Sequence, residues 1–200
     1  MEKPYGKNAV IQAIIEAAIP LLADRGINDV SIRDIAKAAN VNSGLITRHF
    51  GSKEKLIQTI NEYLGKDLFQ MVQQNEHLGT FDSIWDRVMR ENRTKVRAVA
   101  RIMLEASHMN MEYSNPFAFI DEINSWFRDI NKNEDTVSLG ETNMMLYMTA
   151  ALMIGLEIIG DRMQKGLHID DAEYQELRPR ALRIMMKGFG LTPISEHKND

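Results

Sequence analysis

The sequence predicts an all-α fold: an N-terminal three-helix helix-turn-helix domain followed by a larger helical domain, about nine helices in all. Three observations predict it. Apolar residues recur at helical spacing along almost the whole chain, and no run of alternating residues reads as a strand. Capping residues and glycines punctuate that pattern at helix-length intervals. Residues 31–50, SIRDIAKAANVNSGLITRHF, hold two short helical segments joined by a turn of about three or four residues.

Residues 8–25 form the first helix, with Ile11, Ile14, Ile15, Ala18, Leu21 and Leu22 on one broad face and Gly26 as its stop. Pro20 inside it removes one backbone donor and is expected to bend it. Ser31 and Asp34 have the spacing of a capping box, which starts a short helix to Ala39. Asn40, tolerant of left-handed backbone, takes the turn, and Asn42 caps a second short helix, Ser43–His49. Gly51-Ser52 ends it, and Ser52 caps a long helix from Lys53 to about Gln74. Further helices are expected over about 81–92, 94–110, 116–131, 139–165 and 172–188, with Asp170 and Asp171 as an N-cap for the last. The domain boundary is placed at 66/67, dividing 1–66 from 67–200.

Composition narrows the function classes. Of the 200 residues, 44% are hydrophobic and 26% charged, an ordinary globular balance. With no cysteine, a disulfide framework and a thiolate-ligated metal site are excluded. The segment MEKPYGKNAVIQ has no apolar core before a small-residue cleavage site, so no signal peptide is expected, and a cytoplasmic protein is. The longest apolar run, Met144–Leu156, is far short of the roughly 20 residues a bilayer needs, so no membrane partner is expected. Residues 1–66 carry nine Lys/Arg against seven Asp/Glu, a balance of +2, whereas the whole chain stands at −4. A mildly basic N-terminal third can meet phosphate locally while the acidic remainder stays away from it.

The second short helix carries the chemistry. Ala36 is small enough for the close approach of the two helices, and Ile35, Ala39, Val41 and Ile46 supply an apolar wedge closed by Phe50. That leaves Ser43, Gly44, Leu45, Thr47 and Arg48 on the outer face, small and polar with one cation, suited to a major groove about 12 Å wide. Gly44 serves either a close approach to the DNA backbone or packing against the first helix; Leu45 either meets a thymine methyl or packs on the fourth helix. Arg48 is the leading base or phosphate contact. Lys53 stands at a helix start, where ammonium and helix dipole can share one phosphate, and Arg33 is a second phosphate candidate.

Residues 10–57 resemble the DNA-binding domain of TetR/AcrR-family transcriptional regulators. The resemblance rests on IIEAAIPLLADRG followed by VSIRDIAKAANVNSGLITRHFGSKEKLI. The chain departs from the family pattern at three places: Asn40 stands for the usual turn glycine, Leu45 for a threonine and Thr47 for a tyrosine. The resemblance implies a homodimer on a double-stranded, palindromic operator, a phosphate contact from His49, and repression relieved by a small-molecule effector. The residues support the dimer independently. The helix 139–165 is apolar nearly all round and so needs cover on every face. Met148, Ala151, Leu152, Gly155 and Ile159, with Leu182, Met185, Met186 and Phe189 of the last helix, are the expected dimer interface.

Thirteen methionines suit an adaptable apolar cavity, and Trp85, Met89, Met103, Ser107, His108, Met111, Phe117 and Trp126 are the candidate effector contacts, for an apolar or amphipathic effector. Met103, His108, Met109 and Met111 scatter at helical spacing, so no metal site is expected, and no cofactor. No G-x-S-x-G, H-E-x-x-H, P-loop or G-x-G-x-x-G occurs, so no enzyme is expected. The alternative is a helical adaptor that uses its N-terminal domain for protein contacts.

Overall fold

The computed structural model describes residues 4–75, 81–106 and 139–188. Among these residues there are eight α-helices and no strand: α1 Lys7–Arg25, α2 Ile32–Ala38, α3 Ser43–Phe50, α4 Lys53–Gln74, α5 Phe81–Glu91, α6 Arg93–Glu105, α7 Leu139–Gly166 and α8 Asp171–Gly188. No described helix is long and apolar enough to cross a membrane. The helix expected over 116–131 lies outside the described residues. The one expected over 94–110 ends, as α6, at Glu105.

The start signals act as their chemistry dictates. Ser31 accepts from the Asp34 backbone at 3.1 Å while the Asp34 carboxylate accepts from the Ser31 backbone at 2.9 Å, a closed capping box. Asn40 takes φ 54°, the left-handed turn. The Asn42 amide oxygen accepts from Gly44 N at 2.8 Å, and Ser52 Oγ accepts from Lys55 N at 3.3 Å. Asp170 Oδ1 does the same for Glu173 N at 2.9 Å at the start of α8. α1 runs on through Pro20 to Arg25, one regular element.

Two compact units divide the chain, Met1–Lys66 with Arg93–Ala118, and Asp67–Asn92 with Phe119–Asp200. The first places α6 alongside the helix-turn-helix. Val10, Ile14, Ile15, Ala18, Ile19 and Leu22 of α1 share one core with Ile35, Ala36, Ile46, Leu56, Ile57, Ile60 and Leu64, and Ala98 and Ile102 of α6 complete it. Each fully buried Ile or Leu there contributes about 1.5–3 kcal/mol of burial. The second unit packs α5 against α7 and α8. Its interior holds a buried ion pair: Asp86, 1% exposed, meets Arg178 Nε at 2.7 Å and Arg90 Nε at 3.0 Å. Arg178 also lies over the Tyr174 ring, 5.7 Å from its centre.

Candidate nucleic-acid interface

The face that α3 presents follows from which of its residues the core takes. Ile46 is fully buried, and Leu45 and Phe50 pack partly against the same core. The opposite side carries Gly44, Thr47 and Arg48, all exposed, with Ser43 and His49 half-buried beside them. These residues lie at i, i+3 and i+4 spacings, so they form one outward stripe over two turns. Leu45 thus spends part of its side chain on packing within its own unit. Gly44 is exposed, and a Cβ there would meet only the Asn42 amide oxygen, at 3.2 Å. No atom of α1 comes near it, so the reading in which Gly44 serves packing on the first helix has no contact behind it.

Arg33 and Lys37 on α2 are exposed, as is Lys55 on α4. The acids among them are turned to other work. Asp34 is hydrogen-bonded by Ser31, and this first, with Arg25 at 3.4 Å adding to it, holds its carboxyl below the usual 3.8. The Ser52 hydroxyl holds the Glu54 carboxyl below the usual 4.5 in the same way. Each carboxylate sits in the first turn of its helix, where the dipole also favours it. The outer surface of α2 and α3 is therefore left to small polar groups and cations.

Lys53 is placed differently from a free phosphate ligand. Its Nζ donates to the carbonyl of Ile27 at 2.6 Å, a bond across 26 residues. That carbonyl belongs to the turn between α1 and α2, which is also held from the other side. Ile27 N and Asn28 N donate to Glu105 Oε2 at 2.7 and 3.2 Å. From the sequence Lys53 reads only as a phosphate ligand, and Glu105 is not singled out at all. Glu105 closes α6 in a region that reads as an ordinary charged helix end, and nothing local marks a carboxylate whose partners lie 77 and 78 residues earlier.

The expected dimer residues fall mostly on open surface. Along α7, Met144, Tyr147, Met148, Ala151, Ile158, Ile159 and Met163 are exposed, and Leu152 and Gly155 half-exposed. Met185 on α8 is 42% exposed. Leu182 differs: at 3% exposed it belongs to the interior of its own unit and has no surface to offer a partner. Hydrophobic spacing had put it with the open residues, but that spacing does not say which neighbour covers a side chain. The Met186 side chain and Phe189 lie outside the described residues.

Of the effector candidates, Met89 is buried and Trp85 half-buried in the second unit, and Met103 half-buried in the first. Ser107, His108, Met111, Phe117 and Trp126 lie outside the described residues. On α5, a terminal nitrogen of Arg87 is buried with no acceptor among the described residues. No three His, Asp or Glu side chains among the described residues gather as metal ligands.

Residues 14–60, α1 from its second turn to the first half of α4, match the family described as bacterial regulatory proteins, tetR family. The chain is 27% identical over 178 residues to the HTH-type transcriptional repressor Rv3405c of Mycobacterium tuberculosis, covering 88% of this chain and 86% of that one. It is 28% identical over 130 residues to the HTH-type transcriptional repressor KstR2 of Rhodococcus jostii, covering 62% and 63%. In fold it is similar to GusR of Salmonella enterica, with TM-score 0.64 and 19% identity over 94% of this chain and 98% of that one. A tetR-family transcriptional regulator from Streptomyces coelicolor is similar too, with TM-score 0.60 and 16% identity over 93% and 84%. Rv3405c and KstR2 are both named as transcriptional repressors. Residues 14–60, with their capped helix-turn-helix, thus match the tetR family of bacterial regulatory proteins, and the fold along nearly the full length of the chain is similar to that of a tetR-family regulator.

Proposed function

We propose that this DNA-binding regulator is a cytoplasmic repressor that holds a palindromic operator as a homodimer and leaves it when a small effector binds. Residues 1–66 act as the DNA-binding domain and 67–200 as the effector-binding and dimerisation domain. The observation that carries the reading is the outward stripe of α3: Gly44, Thr47 and Arg48 are exposed while Ile46 anchors the helix in the core. Gly44 lets the helix approach the groove, Ser43 and Thr47 donate to phosphate or base edges, and Arg48 takes a guanine edge or a phosphate. Arg33 and His49 fix the register on the backbone. Lys53 keeps two further ammonium donors after bonding Ile27, enough for a phosphate as well. The open part of Leu45 meets a thymine methyl. Repression, as in the names of the mycobacterial and rhodococcal relatives, is the sense of regulation.

The open apolar stripe on α7, with Met185 on α8, favours a second copy as its cover. On a two-fold operator the two α3 helices stand about 34–36 Å apart, one turn of duplex. The effector is apolar or amphipathic, as the methionine and tryptophan candidates favour. Release is a population shift. An effector that prefers the non-operator spacing about 100-fold shifts the balance by roughly 2.7 kcal/mol.

Retardation of duplex DNA from upstream of the protein's own gene tests the reading. Sequence-selective binding, weakening with salt by about 0.9 in log–log slope per phosphate contact, is expected. No retardation at low salt would favour the protein-contact adaptor.

A further inference from the structure

We propose that Glu105, at the far end of α6, is a positioning residue for operator recognition. It sets the α1–α2 turn, and through Lys53 the junction where α3 passes into α4. The proposal rests on the DNA-binding reading above. All of its parts lie in one compact unit. Gly26 ends α1 at φ 77°, and the N–H groups that follow it, of Ile27 and Asn28, have no helical carbonyl to meet. Successive N–H groups of this kind form a concave site for an anion. Glu105 Oε2 fills it, at 2.7 Å from Ile27 N, 3.2 Å from Asn28 N and 3.4 Å from Asn28 Nδ2. Arg101, one turn back on α6, flanks the carboxylate at 3.4 Å.

The opposite side of the same peptide group makes the arrangement more than a cap. The Ile27–Asn28 peptide gives its N–H to Glu105 and accepts Lys53 Nζ on its C=O at 2.6 Å. An anion on the N–H and a cation on the C=O polarise an amide in the same sense, so each bond strengthens the other. Lys53 is the first residue of α4, three residues past the end of α3. Glu105 and Lys53 are thus an ion pair relayed through one peptide, and that peptide ties α6 to the end of the recognition helix. Ile27 itself is fully buried, so the link is anchored in the core. Gly26 completes it, because a Cβ at that position would fall inside the Glu105 carboxylate.

The test uses the full-length protein and a duplex that the wild-type protein selects from a random-sequence library, with an unrelated duplex of equal length beside it. Glu105→Ala is expected to weaken binding to the selected duplex about tenfold, the scale of one charge-assisted hydrogen bond, and to leave the unrelated duplex and the salt slope unchanged. Glu105→Gln, which keeps an acceptor, recovers much of that loss. Amide exchange at Ile27 and Asn28 accelerates in Glu105→Ala. Lys53→Ala in the Glu105→Ala background costs less selectivity than it does alone. Wild-type selectivity in Glu105→Ala overturns the proposal, and so does an equal loss on both duplexes accompanied by a falling folded fraction. Should the wild-type protein select no duplex, the DNA-binding reading falls first, while unaltered exchange at Ile27 and Asn28 in Glu105→Ala removes the clamp by itself.

Discussion

Gly26 and Gly51, each substituted with and without Glu105, isolate one interaction. Both glycines end a helix with positive φ, 77° and 82°, so alanine at either is strained by about 1–3 kcal/mol of backbone energy. Their surroundings differ. The nearest group to a Cβ at Gly51 is Lys55 Cδ at 3.8 Å, ordinary contact, whereas at Gly26 the Glu105 carboxylate occupies the place of the Cβ. Gly26→Ala therefore forces Glu105 off the Ile27 and Asn28 amides and adds the loss of charge-assisted hydrogen bonding, about 1.5–3 kcal/mol. Removing Glu105 should therefore lower the cost of Gly26→Ala by about that amount and leave the cost of Gly51→Ala as it was. Urea unfolding at one fixed protein concentration reads the four costs. The cost of Gly51→Ala should agree between the two backgrounds to within about 0.5 kcal/mol, the scale of independent sites. A Gly26→Ala cost that is the same with and without Glu105 would refute the reasoning.

Three further outcomes are expected. Asp86→Asn leaves the Arg178 guanidinium, 6% exposed, without its counter-charge and should destabilise the protein by about 3–5 kcal/mol, whereas replacing Asp86 and Arg178 together by Leu and Met should cost less, as thermal or urea unfolding would register. Asp34 has its pKa lowered in the folded state, so its contribution is full above the usual 3.8 and is lost as pH falls through the lowered value; the stability of Asp34→Asn should fall less steeply below about pH 4 than that of wild type, in acid unfolding followed by circular dichroism. Ile159→Glu changes a residue that is 50% exposed in the protomer, so the helical content should hold while sedimentation shifts from dimer to monomer; an unchanged dimer would move the interface off this face of α7.

Elements whose signals are local were the ones legible in the sequence. The Ser31–Asp34 box, the Asn42 cap and the left-handed Asn40 are each written within four residues of where they act, and α2 and α3 begin and end accordingly. The outward stripe of α3 followed from the same information, because burying Ile46 leaves Gly44, Thr47 and Arg48 outside by helical geometry alone. Periodicity marked α6 as a helix but not what it packs against: Ala98 and Ile102 complete the core built by α1 and α4. Leu182 was misplaced for the same reason. Lys53 read as a free cation at a helix start because its acceptor is a backbone carbonyl, which no residue type announces. Glu105 was invisible for the converse reason, since its partners are backbone amides, common to every residue but proline.

A hydroxyl-radical footprint on a duplex selected by the wild-type protein reaches the central claim most directly. Two α3 helices from one dimer should protect two patches on the same side of the duplex, about 10 base pairs between centres, with both patches lost together in Arg48→Ala. A single protected patch, or none on any selected duplex, would contradict the account.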